Sequence, residues 1–193
     1  MFSQTKHSRS QAMRPRILLL TGLPGVGKST VFRKLAELLA ERGYRVGGMA
    51  TGEIRQGSTR LGFEVTDLAT GRRGVLAHVH QAQGPRLGKY RVNLADLEAV
   101  GVEAVRRAVA EADVVFVDEV GPMELFSPSF KQAVEEAVES GKPLVVTVHH
   151  RARDSLIQRL RAHPAARLLE VTTDNRSRLA RELAEEFPSG EKL

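Results

Sequence analysis

Residues 22–30 read Gly22-Leu23-Pro24-Gly25-Val26-Gly27-Lys28-Ser29-Thr30, one residue after the apolar run Ile17-Leu18-Leu19-Leu20. The stretch fits G-x-x-x-x-G-K-[ST] on Gly22, Gly27, Lys28 and Ser29, between an expected strand and an expected helix, as that motif requires. Glycines let successive backbone N–H groups turn toward an anion without Cβ clashes. A helix starting near Lys28 aims the positive end of its dipole at the same spot. From there Lys28 reaches the β- and γ-phosphates of a nucleotide, and the Ser29 hydroxyl ligates Mg²⁺. A chance Gly-rich turn before a helix is a poor alternative, because strand, glycines, Lys-Ser and helix all occur in order.

Outward from this loop the pattern is strand then helix. Residues 16–21 read as a buried strand, and 28–42 as a helix with Val31, Leu35, Leu38 and Leu39 on one stripe and Gly43 as its stop. Tyr44 to Ala50, Asp113 to Asp118, Leu144 to Val148 and Arg167 to Val171 read as further strands. Ser127 is an expected N-cap with Pro128 at the first helical position, and that helix ends at Gly141. Further helices are expected over 95–111 and 154–162, and from about Asp174, the last burying Leu179, Leu183 and Phe187. Such alternation predicts an α/β fold: a central, mostly parallel five-stranded sheet flanked by helices. Residues 51–94 break the pattern with short alternating runs between glycines and read as an inserted antiparallel hairpin region. The domain is expected over 16–187, after a disordered basic tail at 1–15 and before a frayed end at 188–193.

A phosphate loop alone binds; it does not hydrolyse. The second half of a site is read at Val114-Val115-Phe116-Val117-Asp118-Glu119-Val120-Gly121, an apolar strand running into an acid pair at the edge where open α/β sheets bind ligands. Asp118 is placed to hold Mg²⁺ through water, and Glu119 to orient and polarise a water in line with the γ-phosphate. Without the loop, an ordinary acidic turn would be the better reading of this pair. Positive charge facing the leaving oxygens could come from Arg55, Arg60, Arg151, Arg153 or Arg176, each singly more typical of a solvated surface. Thr147 and His149 end the fourth strand beside the phosphate loop and could sense the γ-phosphate; a satisfied core threonine and an exposed histidine are equally good readings. His78 and His80, without nearby acids, read as structural.

Composition limits the alternatives. The chain has 193 residues, 41% apolar and 27% charged, no cysteine and a net charge of +6. Lys6, Arg9, Arg14 and Arg16 carry four of those charges without an acid among them, leaving +2 for the rest. The body is therefore near neutral, which argues against nucleic acid as a partner. No apolar run reaches the roughly 20 residues of a membrane helix, and no secretory signal is visible. Absence of cysteine fits a reducing cytoplasm, and a monomer is expected.

The chain resembles the small nucleoside-triphosphatases first described from thermophiles, whose relatives are called cancer-related nucleoside-triphosphatases. The likeness rests on GLPGVGKST at 22–30, TGEIRQGSTRLGFEV at 51–65, GKYRVNL at 88–94, VDEVGPMELFSPSF at 117–130 and VTTDNRSRL at 171–179. It implies a P-loop NTPase: Mg²⁺-dependent hydrolysis of ATP, GTP and other nucleoside triphosphates to diphosphate and phosphate, with loose base selectivity. The family's two nucleotide-binding segments map onto Gly22 to Ser29 and Val114 to Gly121. Pro122 departs from the lysine, and Asp174 from the glutamate, that many relatives carry. The alternative reading is a nucleoside or nucleotide kinase that passes the γ-phosphoryl group to an acceptor.

Overall fold

The computed structural model describes residues 16–188; the tail at 1–15 and residues 189–193 lie outside the described residues. Nine strands, β1 (Ile17–Thr21), β2 (Val46–Gln56), β3 (Thr59–Asp67), β4 (Arg73–His78), β5 (Arg86–Leu87), β6 (Tyr90–Val92), β7 (Val114–Val120), β8 (Leu144–Val148) and β9 (Ala166–Glu170), form one sheet in the order β5-β6-β4-β3-β2-β7-β8-β1-β9. The five strands expected from the sequence pair in parallel as β2-β7-β8-β1-β9. The sheet itself, however, is mixed and nine-stranded, not five-stranded, because the insertion does not stand apart.

The cause is β2. It runs past Ala50 to Gln56, giving one edge to β7 from Val46 to Met49 and the other to β3 from Met49 to Gln56. Strand edges need partners for their backbone N–H and C=O groups, and β3, β4, β6 and β5 supply them in antiparallel succession. Val65, Leu76, Ala77 and Val92 of these strands are buried in the same apolar cluster as Ile17, Val115 and Val146 of the parallel part, with Phe63 packed against it.

Alternation along the central strands separates two layers. Leu18, Leu20, Val114, Phe116 and Val145 face α1 (Lys28–Glu41) and α6 (Leu179–Glu185). Ile17, Leu19, Val115, Val117, Leu144 and Val146 face α3 (Glu103–Glu111), α4 (Pro128–Glu139) and α5 (Ser155–Ala162). Burial on both faces is what a parallel sheet in a doubly covered fold demands.

Two helices differ from expectation. The stretch 95–111 is divided into α2 (Leu94–Asp96), a π-helical turn (Leu97–Val102) and α3. In that turn Gly101 presses on the sheet; a Cβ there would lie 3.1 Å from Met49 Sδ and 3.2 Å from Val65 Cγ2. The last helix starts at Leu179, not near Asp174. Asn175 Oδ1 accepts from the Thr172 N–H at 2.9 Å and its Nδ2 donates to Glu170 O at 2.8 Å, local bonds that compete with helix. No helix of the described residues is long and apolar enough to cross a membrane.

The start of α4 follows the sequence reading. Ser127 is buried, and its Oγ accepts from the Phe130 N–H at 3.1 Å, with Pro128 opening the helix. Ser127→Ala should remove about 1 kcal/mol of stability, the usual worth of an N-cap. Thermal unfolding followed by circular dichroism should show a fall in Tm of roughly 2–4 °C for a chain of this size.

Candidate active site

α1 begins at Lys28 behind Gly27, whose φ of 112° disfavours any side chain. No side chain caps this helix end, and no acid sits in its first turn. The first-turn N–H groups, which lack intrahelical acceptors, therefore face the loop. Gly22 is fixed by close approach as well as by its φ of 148°: a Cβ there would lie 2.6 Å from Val171 O. Lys28 is half-buried and folds across the loop, its Nζ donating to Gly22 O at 2.9 Å and Leu23 O at 3.3 Å. Arg176 braces the outer side, donating to Val26 O at 3.2 Å and packing its Cδ against Gly27.

Asp118, near the end of β7, is buried beneath the loop. Its Oδ1 accepts from Ser29 Oγ at 3.4 Å and from the buried Thr147 Oγ1 of β8. Its Oδ2 is buried without a hydrogen-bond partner. Burial pushes this carboxyl's pKa up, against the hydrogen bonds from Thr147 and Ser29 and the charge of Arg33. An orphaned carboxylate oxygen beside a hydroxyl fits Mg²⁺, a hard cation that takes few protein oxygens and completes its shell with phosphate and water.

Glu119 is pushed up to about 7, mainly by burial and secondarily by Asp118, with Lys28 pulling the other way. Behind it Glu124 is fully enclosed and held well above the ordinary range by burial, with the charge of Glu119 adding to the effect. Three carboxyl groups thus crowd one side of the loop. Positive charge brought into the cleft would favour their ionised forms.

The cleft has a volume of about 660 Å³. The structure brings Pro24, Gly25, Gly27, Lys28, Ser29 and Thr30 together on its walls with Asp118 and Glu119. Gly22, Val114, Val115, Phe116, Val117, Val120 and Gly121 are buried and support the walls, while Leu23 is largely exposed. Val26, also partly exposed, is the residue whose carbonyl Arg176 holds. Of the arginines, Arg60 lines the cleft; Arg55, Arg151, Arg153 and Arg176 are not among its lining residues. Arg60 is held by Tyr90 Oη at 3.0 Å and Glu53 Oε1 at 2.8 Å, with its guanidinium 5.0 Å from the Phe63 ring centre. Arg55 binds the other Glu53 oxygen at 2.6 Å. Thr147 lies under Asp118, whereas His149 reaches the cleft. His78 and His80 lie side by side with ring centres 5.4 Å apart and ring planes inclined by 47°.

Sequence reasoning missed Arg33, Thr51, Glu53 and Phe63 on the cleft and Glu124 behind it. Arg33 donates to Thr51 O at 2.6 Å, so α1 and β2 are tied beside Asp118. One signal was available: Arg33 follows Ser29 by four residues, which puts both on one helix face.

Residues 17–184 match a family model described as NTPase. The chain is 52% identical over 180 residues to the nucleoside-triphosphatase THEP1 of Thermofilum pendens, covering 92% of this chain and 98% of that relative. It superposes on the crystal structure of THEP1 from Aquifex aeolicus with a TM-score of 0.77 at 29% identity, covering 86% of this chain and 96% of that one. It superposes equally on the solution structure of a human cancer-related nucleoside triphosphatase, with a TM-score of 0.77 at 33% identity and coverage of 92% and 100%. The open helix start, the folded-back lysine and the acid pair therefore sit in a known frame, and the chain belongs to the THEP1-type nucleoside-triphosphatase family.

Proposed function

We propose that this chain hydrolyses nucleoside triphosphates, ATP and GTP among them, to diphosphate and phosphate, with Mg²⁺ required and the base loosely selected. The observation that carries the reading is the meeting of Lys28, Ser29, Asp118 and Glu119 on one cleft, with the Ser29 hydroxyl on Asp118 Oδ1 and Oδ2 of the same carboxylate left unbonded.

Each residue has a separate task. The amides of the loop and the start of α1 receive the phosphate oxygens, and Lys28 exchanges its loop carbonyls for the β- and γ-phosphates. Ser29 and, through water, Asp118 would hold Mg²⁺, which when bound would supply positive charge against the phosphate oxygens. Thr147 fixes the Asp118 carboxylate from below. Glu119 accepts the proton of a water whose oxygen attacks the γ-phosphorus; the bond to the β-bridging oxygen breaks, and the negative charge moves onto the diphosphate facing Lys28. Amides and a lysine recognise phosphate, which every nucleoside triphosphate shares, and this supports loose base selectivity.

The test is release of inorganic phosphate from ATP and GTP with Mg²⁺ and with excess EDTA. Release is expected from both nucleotides, lost in EDTA and restored by Mg²⁺. Release indifferent to EDTA would remove the metal from the reading. ADP formation that depends on an added nucleoside or nucleoside monophosphate would replace hydrolysis by the kinase reaction.

A further inference from the structure

Gly121 directly follows β7 and is buried, yet its backbone does not require glycine: its φ is not among the positive values found at ten other glycines. A Cβ on Gly121 would lie 2.8 Å from Glu119 Oε1, 3.0 Å from Glu119 Cγ and 3.2 Å from Glu119 Cδ. The three nearest atoms all belong to one side chain, and that side chain lines the cleft opposite the phosphate loop. The Glu119 side chain doubles back over the residue two positions on, and the missing methyl is the space it uses.

We propose that Gly121 is a positioning residue for hydrolysis: its bare Cα is the seat on which the Glu119 side chain rests while its carboxyl faces the γ-phosphate position. The inference rests on the reading of Glu119 as the group that takes the water's proton. A methyl at 121 meets the Glu119 side chain first, from Cγ to Oε1, so the closest strain falls on the group that carries the chemistry. Displacement of a reacting group by about 1 Å can cost 10²-fold in rate.

The experiment is Gly121→Ala, alone and combined with changes at Glu119, in the full chain. Alone, kcat for phosphate release from Mg·ATP should fall roughly 10- to 100-fold, while KM and the Kd of a non-hydrolysable ATP analogue stay within about twofold. In a Glu119→Gln background, Gly121→Ala should change kcat no further, because its effect passes through that carboxyl. If Gly121→Ala alone folds poorly, Glu119→Ala, which clears the obstructing atoms, should restore its Tm; failure to do so overturns the proposal. Full activity of Gly121→Ala while Glu119→Gln is inactive overturns the role of Gly121 and leaves that of Glu119 standing. Full activity of Glu119→Gln removes both, and equal losses from Gly121→Ala in both backgrounds reduce Gly121 to a packing residue.

Discussion

Glu119→Gln is expected to stop turnover while leaving nucleotide binding in place. The two side chains have the same shape, so the amide would occupy the space over Gly121 and keep the cleft wall intact. What it lacks is a site for the water's proton. General-base contributions run at about 10²–10⁴-fold, and kcat for phosphate release should fall within that range. Affinity for a non-hydrolysable triphosphate, measured by calorimetry, should hold or improve, because the substitution removes a carboxyl that would otherwise repel the γ-phosphate. Stability should not fall either. A buried acid whose pKa is raised to about 7 disfavours the folded state as pH climbs above its unfolded value, so a neutral amide removes a liability at neutral and alkaline pH. A kcat within threefold of the parent would reject Glu119 as the water-activating group.

The residues that make this site differ in how far they could be read from the chain. The phosphate loop was legible because its chemistry is local: glycines, lysine and serine adjoin one another, and the helix that follows announces itself by its stripe. Asp118 and Glu119 were legible because an apolar run leads straight into them, although β7 carries on to Val120. Thr147 could be read only as a strand-end residue, either a γ-phosphate sensor or a satisfied core threonine; that β8 lies beside β7 and sets the Thr147 hydroxyl on Asp118 is a matter of strand order. The arginines show the limit most sharply. Arg55 and Arg60 lie on opposite arms of one hairpin and pair in register, yet only Arg60 lines the cleft. Residues paired across a hairpin share a face, so facing does not separate them: Arg55 spends its guanidinium on Glu53 and on Ser58 O at 2.9 Å, whereas Arg60 lies against Phe63 and Tyr90. Nothing in the order of letters signals those partners. The nine-stranded sheet escaped for a related reason: 51–94 carries valid hairpin signals, but whether a hairpin stands alone or joins an existing edge depends on β2 running on to Gln56.

Lys28→Ala should fail differently from Glu119→Gln, and the contrast separates recognition from chemistry. In this structure the ammonium bridges two carbonyls of its own loop, at 2.9 and 3.3 Å. These bonds hold the side chain inside the cleft, and binding substitutes phosphate oxygens for carbonyls without ordering a long free chain. Removing the ammonium leaves the helix start and loop amides in place, so some anion affinity survives. A hydrogen bond to a charged partner is worth about 1.5–3 kcal/mol, so Kd for the triphosphate analogue should rise roughly 10- to 150-fold. The same ammonium faces the charge that develops on the leaving oxygens, and loss of one such donor costs about 10²–10³ in kcat. Both constants should therefore move together, whereas Glu119→Gln moves kcat alone. Lys28→Arg should not restore the parent, because a planar fork cannot fold onto Gly22 O and Leu23 O as a compact ammonium does. Unchanged Kd in Lys28→Ala would mean that the loop amides alone bind the phosphates and that the lysine serves only to close the empty loop.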